Sequence, residues 1–274
     1  MKKLLSLLLC LIALVTVCSC TKEETLVVYT EAGFAPFEYV SGNEIVGVDV
    51  DIMNKVGEKL GKKVVFKNVS FDIIVDTVSA GKLTNVGAAG LSITEERQEK
   101  VDFSQVYYQA NLYVIYNVNS GVASKTMSDG NTGVYWSSLQ TEKGIGVQGG
   151  TTADFFLSDE IAEGASLDGV KKTDFQDLGV AVSAIGTTVE FVIIDELPAK
   201  QLCAGNKDLA CLPLYYEGET EDDLAADKYA ICVTKGQEEL LAVINEVLAE
   251  LLADVDENGV NGIQKLVNKH LGLE

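Results

Sequence analysis

Two successive sets of alternating strand-like and helical runs constrain this chain more than any other feature. In the first set, residues 26–30 read as a strand, 48–60 as a helix, 64–69 as a strand and 71–80 as a helix. Residues 86–94 and 111–118 are strand-like again. A Ser/Gly/Asn-rich stretch, 119–133, precedes the second set: a strand over 145–148, helices over 152–162 and 178–186, and a strand over 191–194. Such alternation predicts an α/β fold in which each set forms a mainly parallel sheet flanked by helices. Two sets predict two lobes, which a chain of 274 residues is long enough to fill. The pattern then closes with a strand over 229–233 and a helix on which Leu240, Leu241, Ile244, Val247, Leu248 and Leu251 share one face.

Charge narrows the function. A formal net charge of −20 and no basic stripe exclude nucleic acid as a partner, because phosphates would be repelled. Residues 1–19 read as a signal peptide: Lys2 and Lys3, an apolar run over 4–17, then small residues. The VCSC stretch ending at Cys20 is similar to a bacterial lipobox, with the small Ser19 before the cysteine that takes the lipid. Residues 20–25 then form the lipidated cysteine and a polar tether, and acyl chains on Cys20 would anchor the acidic body to a membrane without basic help. Cys203, Cys211 and Cys232 remain in the body. Outside the membrane Cys203 and Cys211 could pair, which spacing alone does not decide, and Cys232 falls in an apolar strand where a buried thiol is expected.

Two motifs imitate other chemistries. GIGVQG, 144–149, has the glycine spacing of dinucleotide sites, but its Ile145 and Val147 read as the strand itself rather than the turn after one. DVDENG, 254–259, begins like a calcium loop, yet its twelfth position is Lys265, so a helix-ending turn is expected and no metal or other cofactor. The one histidine, His270, sits near the end of the sequence, where a surface position is expected; no Ser-His-Asp or Cys-His nucleophile can be built on it.

Six segments in order carry a resemblance: EAGFAPFEY (31–39), VGVDVDI (46–52), GLSITEER (90–97), VDFS (101–104), GVQGGTT (146–152) and FVIID (191–195). In this order and spacing the chain resembles the extracytoplasmic solute-binding proteins of polar amino acid importers, family 3, from about residue 27 onward. The resemblance implies a two-lobed periplasmic-binding-protein-like (type II) fold with the ligand cleft between lobes. It implies a monomeric binding component that takes a free polar L-amino acid and presents it to the transmembrane permease and ATPase of an ABC importer. Because the chain must cross between lobes and return, lobe 1 is expected over 26–115 plus 215–274 and lobe 2 over 116–214, with hinges near 114–118 and 212–216.

The residues can be weighed on their chemistry. A buried amino acid brings a carboxylate and an ammonium, and each must keep charge-assisted partners. All other Lys/Arg positions of this chain are lysines, whereas Arg97 offers the planar guanidinium that can grip a carboxylate with two bonds. The resemblance adds Ser92 to that carboxylate and the Gly90 carbonyl to the ammonium. It places Thr151 and Thr152, at a helix start whose free N–H groups favour anions, on the carboxylate from the other lobe. Asp195 would take the ammonium, although it could instead cap the following helix. Glu31, Phe34 and Phe71 match side-chain contacts, Glu31 suiting a cationic head group or a glutamine amide. Two other classes stay open: an enzyme on the same fold, akin to dehydratases of cyclic amino acids, and a sensor ectodomain.

Overall fold

The computed structural model describes residues 24–218 and 223–273. The signal peptide, Cys20 and the beginning of the tether therefore lie outside the described residues, as does most of the acidic run 217–223. Among the described residues no helix is long and apolar enough to cross a membrane.

The first lobe is a five-stranded sheet in the order Lys63–Asn68, Thr25–Thr30, Val86–Gly87, Cys232–Thr234, Val101–Phe103. Its first three strands are parallel, and Cys232–Thr234 returns antiparallel to both of its neighbours. Helix Val48–Leu60 forms where the sequence predicts it. Asp49 and Asp51 stand in its first turn, Lys59 in its last, and Gly61 ends it at φ 64°, so charge and cap agree with the helix dipole. Its apolar face (Ile52, Met53, Val56) packs on Ile244, Val247 and Leu248 of helix Glu238–Ala253 and on Val267 of helix Gly262–Leu271. Truncating a fully buried side chain such as Ile52 to alanine would cost about 2–5 kcal/mol.

The second lobe is a larger sheet whose main path runs Lys172–Phe175, Ile145–Gln148, Phe191–Asp195, Tyr108–Asn117, Leu209–Tyr216, Thr132–Tyr135, Lys125–Thr126. Strand Phe191–Asp195 shows why its sequence is apolar without interruption. Phe191 and Ile193 enter a core with Leu112, Val147 and Trp136, whereas Val192 and Ile194 enter a second core with Leu178 and Ala199 on the opposite face. Both faces being covered, alternation has nothing to report. Cys203 and Cys211 lie side by side here as thiols, and Cys232 is buried in the first lobe.

The crossing between lobes differs from the sequence expectation. Val114 pairs with Leu212, and Val134 with Leu214, inside the second sheet, so 114–118 and 212–216 are not hinges. The chain crosses where Tyr108–Asn111 of the long strand pairs antiparallel with Ala226–Tyr229, which moves the expected lobe boundaries at 115 and 215 to these segments. The long strand is one uninterrupted run of hydrogen-bonding backbone that serves the hinge at one end and the lobe at the other. His270 is also corrected: its ring is 7% exposed, with Nε2 2.9 Å from Asp51 Oδ2 and Nδ1 3.2 Å from the Tyr39 hydroxyl. It pins the C-terminal helix to helix Val48–Leu60 and to the hairpin that follows Glu31.

Candidate functional site

The short strand Val86–Gly87 ends early, and the chain that continues from it turns along the cleft floor. Gly90 makes that turn at φ 53°, a left-handed backbone where a Cβ would meet the Phe34 ring at 2.8 Å. Its N–H donates to Asp49 Oδ2 at 3.0 Å. Ser92 then forms a bridge with Tyr229 of the hinge strand, and Thr94 caps the helix Glu95–Lys100, its Oγ1 accepting from Arg97 N at 3.2 Å. The cap fixes the direction in which Arg97 leaves the helix, toward the cleft rather than into solvent.

Arg97 is 6% exposed. Nη1 donates to the Ser92 carbonyl at 2.7 Å and Nη2 donates to the Gly150 carbonyl at 2.8 Å, so the guanidinium reaches from the first lobe to the second. It lies 5.5 Å from the Phe71 ring centroid and 5.8 Å from that of Phe155, within cation–π range of both. Burial pulls its pKa down from the usual arginine value, and the nearby Asp227 opposes that pull. Glu95 and Glu96, its neighbours at the helix start, do not hold it; Glu96 pairs with Lys100.

Across the cleft, strand Ile145–Gln148 runs into Gly149 and Gly150 and then helix Thr152–Glu160. Thr151 is the N-cap: its Oγ1 accepts from Asp154 N at 3.3 Å and donates to the Gln148 carbonyl at 2.7 Å. Thr152 is the first helical residue, where the backbone N–H has no intrahelical partner. Gly150, at φ 77°, turns its carbonyl to Arg97 while its N–H donates to Asp154 Oδ2 at 2.8 Å.

Asp195 ends strand Phe191–Asp195 and occupies the N-cap position of helix Glu196–Ala204, but its side chain makes no capping hydrogen bond. Its Oδ1 is buried without a partner. Burial, followed by the charge of Asp227, pushes its pKa well above the usual carboxylate range. Glu31 follows the first strand and is pushed up to about 7, by burial first and then by Asp177, while Gln148 and Gly33 stabilise its charged form.

These elements bring Glu31, Phe34, Phe71, Gly90, Ser92, Thr151, Thr152 and Asp195 onto the wall of one narrow cavity between the lobes, with Arg97 bonded to that wall at its margin. Eight of the nine ligand-site residues expected from the sequence thus line one cavity, whereas Arg97 lines a neighbouring groove with Phe71, Gly150 and Phe155. No lysine lines it, and two of its lining side chains are acidic. Phe34 stacks near Phe37 and Tyr229, with centroids at 5.9 and 6.2 Å, so its ring is both wall and core.

Three residues here were not anticipated. Gln148 lines the cavity and supports Glu31; its position just before the double glycine is the signal for it. Asp49 holds the Gly90 turn and accepts from the Tyr107 hydroxyl at 2.5 Å. Beside it the fully buried Glu38 is pushed well above the usual carboxylate range, by burial first and then by Asp49 and Glu31. Asp227, on hinge strand Ala226–Tyr229, accepts from Ser92 Oγ at 2.5 Å and from Thr152 Oγ1. A period-two reading would have found it, since Ala225, Asp227 and Tyr229 are all buried on one face of an extended segment.

Comparison with known proteins agrees with this architecture. The model of the bacterial extracellular solute-binding proteins, family 3, matches residues 26–270. The arginine-binding extracellular protein ArtP of Bacillus subtilis is 33% identical over 153 residues, 53% of this chain and 60% of that protein. A probable histidine-binding protein of Campylobacter jejuni is 26% identical over 84% of this chain and 80% of its own length. The crystal structure of the substrate-binding protein AbpA of an amino acid ABC transporter from Streptococcus pneumoniae, bound to L-arginine, superposes with a TM-score of 0.74 at 26% identity, covering 91% of this chain and 95% of that one. With a two-lobed α/β fold, a cleft between the lobes and a family match over nearly the whole described length, this chain belongs to the bacterial extracellular solute-binding proteins, family 3.

Proposed function

We propose that this protein is the binding component of an amino acid ABC importer and that its ligand is a free cationic L-amino acid, L-arginine foremost. The observation that carries the proposal is the charge imbalance of the cavity. Asp195 presents a buried carboxylate oxygen without a partner and Glu31 stands on the same wall, so two acids face the one guanidinium at the margin, that of Arg97. A zwitterion with a cationic tail supplies what such a cavity lacks: its ammonium meets Asp195 and the Gly90 carbonyl, its tail meets Glu31 between Phe34 and Phe71, and its carboxylate meets Arg97. The backbone at Ser92 and at the helix start of Thr151 and Thr152 frames that carboxylate from the two lobes. Ligand contacts on both lobes favour the closed arrangement, so binding and closure are one equilibrium. ArtP and AbpA, an arginine-binding protein and a protein crystallised with L-arginine, support the choice of ligand.

Binding rather than turnover is the reading, because the only histidine of the chain is engaged by Asp51 and Tyr39 and no general acid of that kind reaches the ligand. The body is held outside the cell membrane by lipid on Cys20, works as a monomer and delivers its ligand to a permease and its ATPase. A thermal-shift screen of the mature protein against the twenty amino acids, ornithine and cystine tests the ligand: arginine, lysine and ornithine are expected to give the largest rises in Tm. A larger rise with an acidic or aliphatic amino acid would refute the cationic assignment. Turnover of arogenate would refute the binding role, and a Cys20→Ala protein that still partitions with membranes would refute the anchor.

A further inference from the structure

The hydroxyls of Ser92 and Thr152 face each other across the cleft, 3.4 Å apart, one from each lobe. Both also reach the same atom. Asp227 Oδ2 accepts from Ser92 Oγ at 2.5 Å and from Thr152 Oγ1, while Oδ1 accepts from the N–H of Lys228 at 2.8 Å. Asp227 itself is 6% exposed and belongs to neither lobe: it sits on the hinge strand, opposite Ala110 of the other crossing segment.

A hydroxyl has one proton to give. When both are given to Asp227, neither is free for a ligand carboxylate. We infer that Asp227 is a positioning residue, a latch carried on the hinge that draws the two lobes together through Ser92 and Thr152 and leaves the ligand carboxylate to Arg97 and to the backbone N–H groups at the helix start. Because Ser92 and Thr152 come from opposite lobes, the two bonds can exist together only when the cleft is narrow, so the latch stabilises the narrow arrangement by itself. Placement on the hinge also suits the role, since the carboxylate moves little when the lobes separate and remains available for their return. The carboxylate serves a second purpose through charge: it faces Arg97 and raises the cost of an ionised Asp195, which sharpens the demand for a ligand ammonium.

The ligand part of this inference rests on the proposed function, whereas the latch does not, and the test separates them. Small-angle scattering of the mature protein without ligand is expected to give a larger mean radius of gyration for both Asp227→Ala and Thr152→Val than for wild type, with unchanged far-UV circular dichroism. Calorimetry with L-arginine then closes a double-mutant cycle. Each single substitution is expected to weaken binding about tenfold, the scale of one charge-assisted hydrogen bond, and the double variant no more than either single one. Asp227→Asn, which keeps an acceptor oxygen, is expected to recover most of the Asp227→Ala loss. Multiplying losses in the double variant would show that the threonine hydroxyl serves the ligand and would overturn the division of labour. Scattering curves that coincide with wild type would overturn the latch. If wild type ignores arginine, the ligand assignment fails, and scattering alone decides on the latch.

Discussion

The two ends of the cavity are built on opposite principles. At one end the guanidinium of Arg97 is held in place by the protein, through two carbonyl partners, one on each lobe, and two aromatic faces, and the rest of its five N–H donors remain for a ligand. At the other end Asp195 has a buried carboxylate oxygen with no partner and a pKa driven up first by burial. The cationic end is pre-organised, and the acidic end is left for a ligand to complete. Affinity at a site of this kind depends on both ends, but selection among amino acids depends on the unfinished one, because an unpaired buried acid penalises every ligand that cannot supply a cation.

The sharpest way to break this comparison is to remove the unfinished end. Asp195→Asn is expected to weaken arginine binding by about a hundredfold to a thousandfold, the loss typical when one partner of a buried charge pair is removed. The same variant is expected to melt close to the wild-type temperature without ligand, since burial already holds the Asp195 carboxyl well above the usual carboxylate range and the amide then replaces a neutral acid. Calorimetry and a melting curve check both; a lower Tm in the ligand-free variant would mean that Asp195 is a structural cap after all. The finished end gives the next largest effect. Arg97→Lys retains the charge but not the planar fork that reaches Ser92 and Gly150 together, and an arginine affinity lower by about thirtyfold is expected. Equal affinity in that variant would remove Arg97 from the site.

The same contrast explains what could be read from the sequence. Arg97 was legible because it is the only arginine in a chain of lysines and sits at a capped helix start, and the surrounding segments follow one another in a recognisable order. Helix Val48–Leu60 and strand Ile145–Gln148 were legible because local period and capping chemistry agree there with the fold. The hinge was not, because the strand Tyr108–Asn117 has the same extended, apolar character before and after it changes sheets, and only its pairing partners mark the change. Asp227 escaped notice because its partners, Ser92 and Thr152, are 135 and 75 positions away in the chain. His270 was misplaced for the same reason: nothing near it in sequence announces Asp51, 219 positions earlier. Tertiary polar contacts leave little trace in local patterning, whereas helix caps and strand periods leave a strong one.

The smallest effects come from Glu31, and they test which ligands the unfinished end prefers. Glu31→Gln is expected to weaken arginine about tenfold and glutamine hardly at all, because an amide pairs with a neutral tail as well as a carboxylate does. The pH dependence gives an independent check with two opposite slopes. In the ligand-free protein Glu31 titrates at about 7 rather than near its usual 4.5. The folded state therefore holds a proton that the unfolded state releases, and the stability contributed is complete below about 4.5 and is lost as pH rises through about 7. Glu38 and Asp195, also raised by burial, add to the same slope. The Tm of the free protein should consequently fall by several degrees between pH 5.5 and pH 8, about 2 kcal/mol from Glu31 alone. Arginine affinity should move the other way. A cation beside Glu31 favours the ionised acid, so binding expels the proton, and arginine should bind about tenfold more weakly at pH 6 than at pH 8. Glu31→Gln should flatten the part of that affinity slope that glutamine does not share; an identical arginine profile in the variant would place the cationic tail elsewhere in the cleft.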